Sequence, residues 1–289
     1  MLEYVAEAVQ RVEDDPAIDS AAAAYAALRP LGLDDVGLLL LGMPDPRYPK
    51  LSGLLPAMAS DEVQRNWTGN CGVALLKQTT SFVRLVSYNY ARLTGRSLDG
   101  AKILDYGCGY GRMARLMYCF TEPANFHGVD PWDQSIELCR RAGLDTNFAV
   151  SDYLPNHLPV GDVAFDLIYA FSVFSHLSQR ATLASLDTLS RYIAPSGILA
   201  ITIRPIEYWN HDPHTNRQQQ RALMQTHRAE GFAFQPHNRA PIDGDITYGD
   251  TSMTLDWLAR NCPAWELCAT DHSIDDEYQR YVFLRRARS

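Results

Sequence analysis

Between residues 101 and 203, short apolar runs alternate with amphipathic stretches of helical period. Runs at 101–105, 126–129, 146–150, 165–171 and 198–203 predict five strands. Between the first two, Met113, Leu116, Met117 and Phe120 share one face and predict a helix, and 133–142 repeats that pattern. Ser178 is placed to cap a further helix bearing Leu183, Leu186, Leu189 and Ile193, which Pro195-Ser196-Gly197 stops. This rhythm predicts an α/β fold, a parallel sheet with helices on both faces. Runs at 265–270 and 278–285 add two end strands, and 251–261 predicts a helix closed by Pro263.

The flanks differ in texture. Residues 1–98 predict a helical N-terminal extension ahead of a main domain at 99–289. Residues 21–28 are rich in Ala, and Leu75, Leu76, Phe82, Val83, Val86 and Tyr90 recur at helical spacing within 73–90. Pro44, Pro46, Pro49 and Pro56 punctuate a loop-rich passage. Residues 205–250 are polar and rich in His, Gln, Asn and Arg. They are too long for an ordinary connection and predict a substrate-facing insertion or lid.

Composition removes several function classes. A chain of 289 residues suits one α/β domain with a large extension, and 46% hydrophobic residues can build a sizeable core. The net charge of −8 and the lack of a run of five Lys/Arg argue against a nucleic-acid partner. The short Arg285-Arg286-Ala287-Arg288 does not reverse that. No membrane partner is expected, because the longest apolar stretch, 37–43, is far below the ~20 residues a span needs. The six cysteines form no C-x-x-C pair, and Glu7, Glu13, Asp14 and Asp15 are wrong for a secretory signal. A cytoplasmic location is expected.

The candidate chemistry begins where the first strand ends. Gly107, Gly109 and Gly111 follow it, and glycine lets bare backbone approach a ligand without a Cβ clash. Asp105 lies two residues before the first glycine, placed to attract an ammonium group. Asp130 ends the second strand, where a carboxylate can accept ribose hydroxyls. Ser151-Asp152-Tyr153 follows the third strand, where an acid can accept an adenine amino group. A dinucleotide fits poorly. The pyrophosphate fingerprint needs a third glycine at position 112, which is Arg112, and a carboxylate at 105 would sit badly beside phosphate.

On these residues the chain resembles the class I S-adenosylmethionine-dependent methyltransferases from about residue 102 to 204. The resemblance implies a Rossmann-like methyltransferase sheet of seven strands, mostly parallel with the last antiparallel. It implies S-adenosyl-L-methionine as cofactor and S-adenosyl-L-homocysteine as product. By the same resemblance Asp105, Gly107, Cys108, Gly109 and Gly111 hold the methionine part. Asp130 takes the ribose and Pro131 or Trp132 flanks adenine. Asp152 and Tyr153 meet the adenine edge, and the strand end at Ala170 and Phe171 lines the methionine moiety.

If the acceptor is a hydroxyl, a base must take its proton. His176, just beyond the fourth strand, is the expected base, with a loop-ordering role as the alternative. Arg204, Glu207, Tyr208 and Trp209 follow the fifth strand and are expected to touch the acceptor. Trp67, ahead of the sheet, is expected to close the pocket or to anchor the core. His211, Asp212 and His214 suggest a metal, but Pro213 and the polar context favour a solvated segment, so no metal is expected. The leading function is methyl transfer to a small-molecule or saccharide acceptor, at oxygen. A nicotinamide-dependent oxidoreductase and a non-catalytic S-adenosylmethionine-binding module stay open as alternatives.

Overall fold

The computed structural model describes residues 3–144 and 147–287. The chain divides into two compact units, one of Met1–Ala91 and Gly95–Val150, the other of Arg92–Thr94 and Ser151–Ser289. The division falls after the third strand, whereas sequence texture placed a boundary at 98/99.

In the first unit six α-helices among the described residues precede the sheet: α1 (Ala6–Asp14), α2 (Ala21–Leu28), α3 (Leu33–Leu41), α4 (Pro49–Leu54), α5 (Asp61–Thr68) and α6 (Gly72–Thr94). The side chains of Ser20 and Ser60 cap α2 and α5, and the left-handed Gly69 and Gly95 close α5 and α6. The proline-punctuated passage still holds α4, because Pro49 sits in its first turn, where no N–H is needed. The sheet then begins: β1 (Ile103–Tyr106), α7 (Ala114–Met117), β2 (Phe126–Asp130), α8 (Asp133–Arg141) and β3 (Phe148–Val150). β1 and β2 pair in parallel with Asp105 opposite Gly128, and β2 and β3 with Asp130 opposite Val150. Residue 146 of the predicted third strand lies outside the described residues. The helix expected after the glycine loop is a single α-helical turn.

The second unit contains β4 (Phe165–Ala170), α9 (Gln179–Tyr192), β5 (Ile193–Ile203), α10 (Arg217–Glu230), β6 (Phe232–Pro236), β7 (Gly249–Met253), α11 (Leu255–Asn261), β8 (Trp265–His272) and β9 (Arg280–Arg286). Ser178 caps α9 by accepting the Ala181 N–H, as its position predicts. β4 and β5 are parallel, and β9 runs antiparallel to β5 and to β8. The sheet has seven strands in the order β3-β2-β1-β4-β5-β9-β8, mostly parallel with the last strand of the chain antiparallel. This is the expected Rossmann-like architecture.

The polar segment 205–250 carries regular elements of its own, and one helix boundary is corrected. The polar segment 205–250 is ordered into α10 and an antiparallel two-stranded sheet of β6 and β7. A capping box opens α10, with Asn216 and Gln219 satisfying each other's backbone N–H groups, and Gly231 closes it. The helix predicted over 251–261 starts only at Leu255, because Thr254 caps it by accepting the Trp257 N–H and residues 249–253 pair with β6.

Candidate active site

In the first unit the glycine loop is tied to the end of β2. The N–H groups of Gly107 and Cys108 both donate to the Val129 carbonyl, at 2.8 and 3.0 Å. Gly109 donates to Asp130 Oδ2 at 3.0 Å, while Asp130 Oδ1 accepts the Trp132 N–H and the Ser135 hydroxyl, each at 2.9 Å. A carboxylate offers about four acceptor positions, so one is left for a ligand hydroxyl. Burial raises the Asp130 carboxyl above its ordinary value, against the pull of those three hydrogen bonds.

Only glycine suits the turn itself. Gly109 and Gly111 have φ of 54° and 73°, in the left-handed region. A Cβ on Gly111 would stand 2.4 Å from Leu144 Cδ1, whereas one on Gly109 would meet the Trp67 ring at 3.6 Å. Trp67 stacks on Trp132, with centroids 4.8 Å apart and planes at 20°, and meets Tyr110 edge-on at 5.7 Å.

Arg115 secures the loop from beneath. It is buried, and its Nη1 donates to the carbonyls of Tyr110 and Gly111 at 2.8 and 2.6 Å. Its Nε and Nη2 both donate to the Ala57 carbonyl, at 3.0 and 2.7 Å. Burial pulls this guanidinium below its ordinary pKa, and carbonyl dipoles meet its charge.

These residues fit an aminoacyl nucleoside. The loop offers bare backbone, Asp105 is buried in β1, and Asp130 keeps one acceptor position. They fit a pyrophosphate poorly, since Arg112 turns away to donate to Gln78 Oε1 and Thr79 Oγ1 at 2.9 and 2.8 Å. Cys108 is buried, and burial pushes its thiol well up, so it lines the loop as a neutral group. Pro131 is half-buried and Trp132 exposed.

In the second unit Asp152 is exposed, Tyr153 half-buried, and Ala170 fully buried at the end of β4. Phe171 meets Tyr281 edge-on at 6.5 Å. Ser172 takes a φ of 59°, uncommon for a residue with a side chain. Its N–H donates to Thr202 Oγ1 at 2.7 Å, and Gln279 donates to its hydroxyl at 3.1 Å.

Beyond β4 and β5 a polar cluster forms around Asp250 of β7, whose side chain is 2% exposed. Its Oδ1 accepts from Arg204 Nη1 and, at 2.9 Å, from the Tyr208 hydroxyl; its Oδ2 accepts from His237 Nε2 at 2.6 Å. Burial works to raise this carboxyl, but the Arg204 charge and the His237 hydrogen bond prevail and hold it below its ordinary value. Arg204 also donates to the Ser175 carbonyl at 2.9 Å and lies 4.0 Å over the Tyr208 ring.

The partners of His176 determine its tautomer. The Gly249 carbonyl, 2.7 Å from Nδ1, can only accept, so Nδ1 carries the hydrogen. The Arg204 guanidinium, 3.0 Å from Nε2, can only donate, so Nε2 is the acceptor. The imidazole is therefore neutral with both nitrogens engaged. Burial first and the Arg204 charge second bring its pKa down to about 3.

The residues expected to touch the acceptor separate by burial. Glu207 is exposed. Trp209 is fully buried, donates to Ser252 Oγ at 2.7 Å and packs in a core cluster with Tyr208 and Ala233. Arg204 and Tyr208 face Asp250. Sequence reasoning gave His237 and Asp250 no catalytic role. They meet because β6 and β7 pair with Pro236 opposite Gly249. Among the described residues no group of three His, Cys, Asp or Glu stands close enough to hold a metal ion. None of the described helices is long and apolar enough to cross a membrane.

The strand order, the glycine turn and the acidic strand ends define a Rossmann-like fold of the class I methyltransferase type. A family model described as "Methyltransferase domain" matches residues 103–197. That segment is a methyltransferase domain of the class I, S-adenosylmethionine-dependent kind. The chain is 25% identical, over 57% of its length, to a 2-methyl-6-phytyl-1,4-hydroquinone methyltransferase of Synechocystis, and spans 52% of that protein. It is 26% identical, over 66% of its length, to a fatty-acid O-methyltransferase of Mycolicibacterium smegmatis, and spans 70% of it. A solved structure of magnesium protoporphyrin IX methyltransferase from Synechocystis, with bound SAH, aligns over 78% of this chain and 94% of that one. Its TM-score is 0.48, at 15% identity.

Proposed function

We propose that this chain transfers a methyl group from S-adenosylmethionine to an oxygen of a small-molecule or saccharide acceptor, releasing S-adenosylhomocysteine. When bound, the cofactor supplies an electrophilic methyl on a sulfonium. In this reading the bare backbone at Gly107, Gly109 and Gly111 takes the aminoacyl end beside Asp105. Asp130 accepts one ribose hydroxyl with its remaining acceptor position, and Trp132 packs against the adenine. Asp152, Tyr153, Ala170 and Phe171 are the second unit's proposed cofactor residues.

The observation that carries the oxygen assignment is the His237–Asp250 pair, set among His176, Arg204 and Tyr208. A hydroxyl must shed its proton on methylation, and such groups serve that need. The cluster stands beyond the carboxyl ends of β4 and β5, the edge at which sheets of this kind build their sites. One relative is itself named an O-methyltransferase. The net charge of −8 favours small acceptors over nucleic acid.

Labelled methyl transfer tests the proposal, with sugars, phenols, carboxylic acids and amines offered as acceptors. Transfer to a hydroxyl-bearing acceptor is expected. Thermal stabilisation by NAD and none by S-adenosylhomocysteine would overturn it in favour of an oxidoreductase. Tight S-adenosylhomocysteine binding with no transfer to any acceptor would leave a binding module.

A further inference from the structure

We propose that His237, oriented by Asp250, is the base that takes the acceptor's hydroxyl proton. This rests on the oxygen-methylation reading above. Asp250 is ionised and can only accept, so the hydrogen of the 2.6 Å contact lies on His237 Nε2. The lone pair is then on Nδ1, and among the described residues no hydrogen bond reaches that nitrogen. The side chain is 29% exposed, open enough for a ligand. His176 offers no such lone pair, because Arg204 donates to its Nε2.

The scaffold holds this pair rigidly. His237 N–H donates to the Tyr248 carbonyl at 3.1 Å, continuing the pairing of β6 with β7. Arg204 and Tyr208 clamp the far oxygen of Asp250, so Oδ2 is left to His237. The groups that face His237 are Asp250, the neutral His176 at 6.4 Å between ring centroids, His214 at 5.6 Å and Tyr248 at 5.6 Å. Arg239 lies 4.1 Å over Tyr248.

A second observation points to a ligand rich in hydroxyl groups. Asp212 is 3% exposed, and its Oδ2 has no hydrogen-bond partner, while Oδ1 accepts the His214 N–H at 3.0 Å. Tyr208, whose hydroxyl rests on Asp250, also feels the Asp212 charge. A buried carboxylate oxygen without a donor is costly unless a ligand or water supplies one. A polyol suits both groups, with one hydroxyl donating to Asp212 and a neighbouring hydroxyl reacting beside His237.

The step balances without a further reactant. The acceptor oxygen forms its bond to the methyl carbon as the carbon–sulfur bond breaks, and that electron pair stays on sulfur. The hydroxyl proton passes to His237 Nδ1, and the imidazolium faces Asp250 until solvent takes the proton.

The test uses the full chain and the best acceptor from the methyl-transfer panel. His237→Asn is expected to lower kcat by about 10²–10⁴-fold and to abolish the acidic limb of the kcat–pH profile. Calorimetric affinity for S-adenosylhomocysteine should stay within about twofold, since no cofactor contact is assigned to His237. Asp212→Asn is expected to raise the acceptor KM more than it lowers kcat. Nitrogen-15 NMR of the ligand-free wild type provides a readout free of turnover, and His237 should show hydrogen on Nε2 only. Full kcat in His237→Asn, or hydrogen on Nδ1 in the ligand-free protein, would overturn the proposal while oxygen methylation stands. A wild type that binds S-adenosylhomocysteine yet methylates no hydroxyl would overturn both.

Discussion

The Trp67 indole lies face to face with that of Trp132, centroids 4.8 Å apart, while its edge covers Gly109. A residue of the last turn region of α5 thereby roofs the turn after β1. Removing the ring in Trp67→Ala exposes the loop and forfeits an aromatic pair worth about 0.5–1.5 kcal/mol. Lower affinity for S-adenosylhomocysteine is expected by calorimetry. Unchanged affinity would make Trp67 a packing residue only.

Two neighbouring glycines should respond differently to the same substitution. Both would carry the left-handed strain of about 1–2 kcal/mol in an alanine variant. Gly111→Ala adds a 2.4 Å clash with Leu144, whereas Gly109→Ala meets only ordinary contact with Trp67. Thermal denaturation should therefore rank Gly111→Ala as the more destabilised protein. The reverse order would refute the loop geometry.

Asp130→Ala removes the Gly109 hydrogen bond that fastens the loop, the two from Trp132 and Ser135, and the proposed ribose acceptor. A loss of about 1.5–3 kcal/mol in S-adenosylhomocysteine binding is expected, the range for hydrogen bonds to a charged group. Calorimetry on the folded variant measures it, and an affinity equal to wild type would reject the ribose assignment.

The half-buried His176 makes stability depend on pH with a definite sign. Its folded pKa is lowered to about 3 from the ordinary 6.5, so only the unfolded chain takes up the proton as pH falls between those values. Stability is then lost progressively below pH 6.5, on the order of a few kcal/mol by pH 3. His227, lowered by burial as well, adds to the same slope. Asp250, with a depressed carboxyl, contributes stability above its ordinary value that is lost as pH falls through the depressed one. Urea titrations from pH 4 to 8 should show a flatter profile for His176→Gln than for wild type.

The central sheet was legible because buried strands impose continuous apolar runs and the glycine turn imposes positive φ. Ser178 was legible as a cap for the same local reason. The elements within 205–250 were not legible because α10 is solvated and its helical signal lies in its ends. The Asn216 and Gln219 capping box and the closing Gly231 were the available signs. His237 and Asp250 carried no sequence signal as a pair. Their meeting depends on the register of β6 against β7, a non-local quantity that neither strand specifies by itself. The burial of Trp209 was not legible, because an aromatic residue just past a strand end looks alike whether it faces ligand or core.

The fork of Arg115, divided between the glycine turn and the Ala57 carbonyl, limits how this scaffold can be recombined. A chimera that keeps residues 99–289 and grafts a foreign leading segment would strand a cation in the interior unless the graft presents a carbonyl at the same spot. The helical extension and the turn it steadies must travel together as one heritable module.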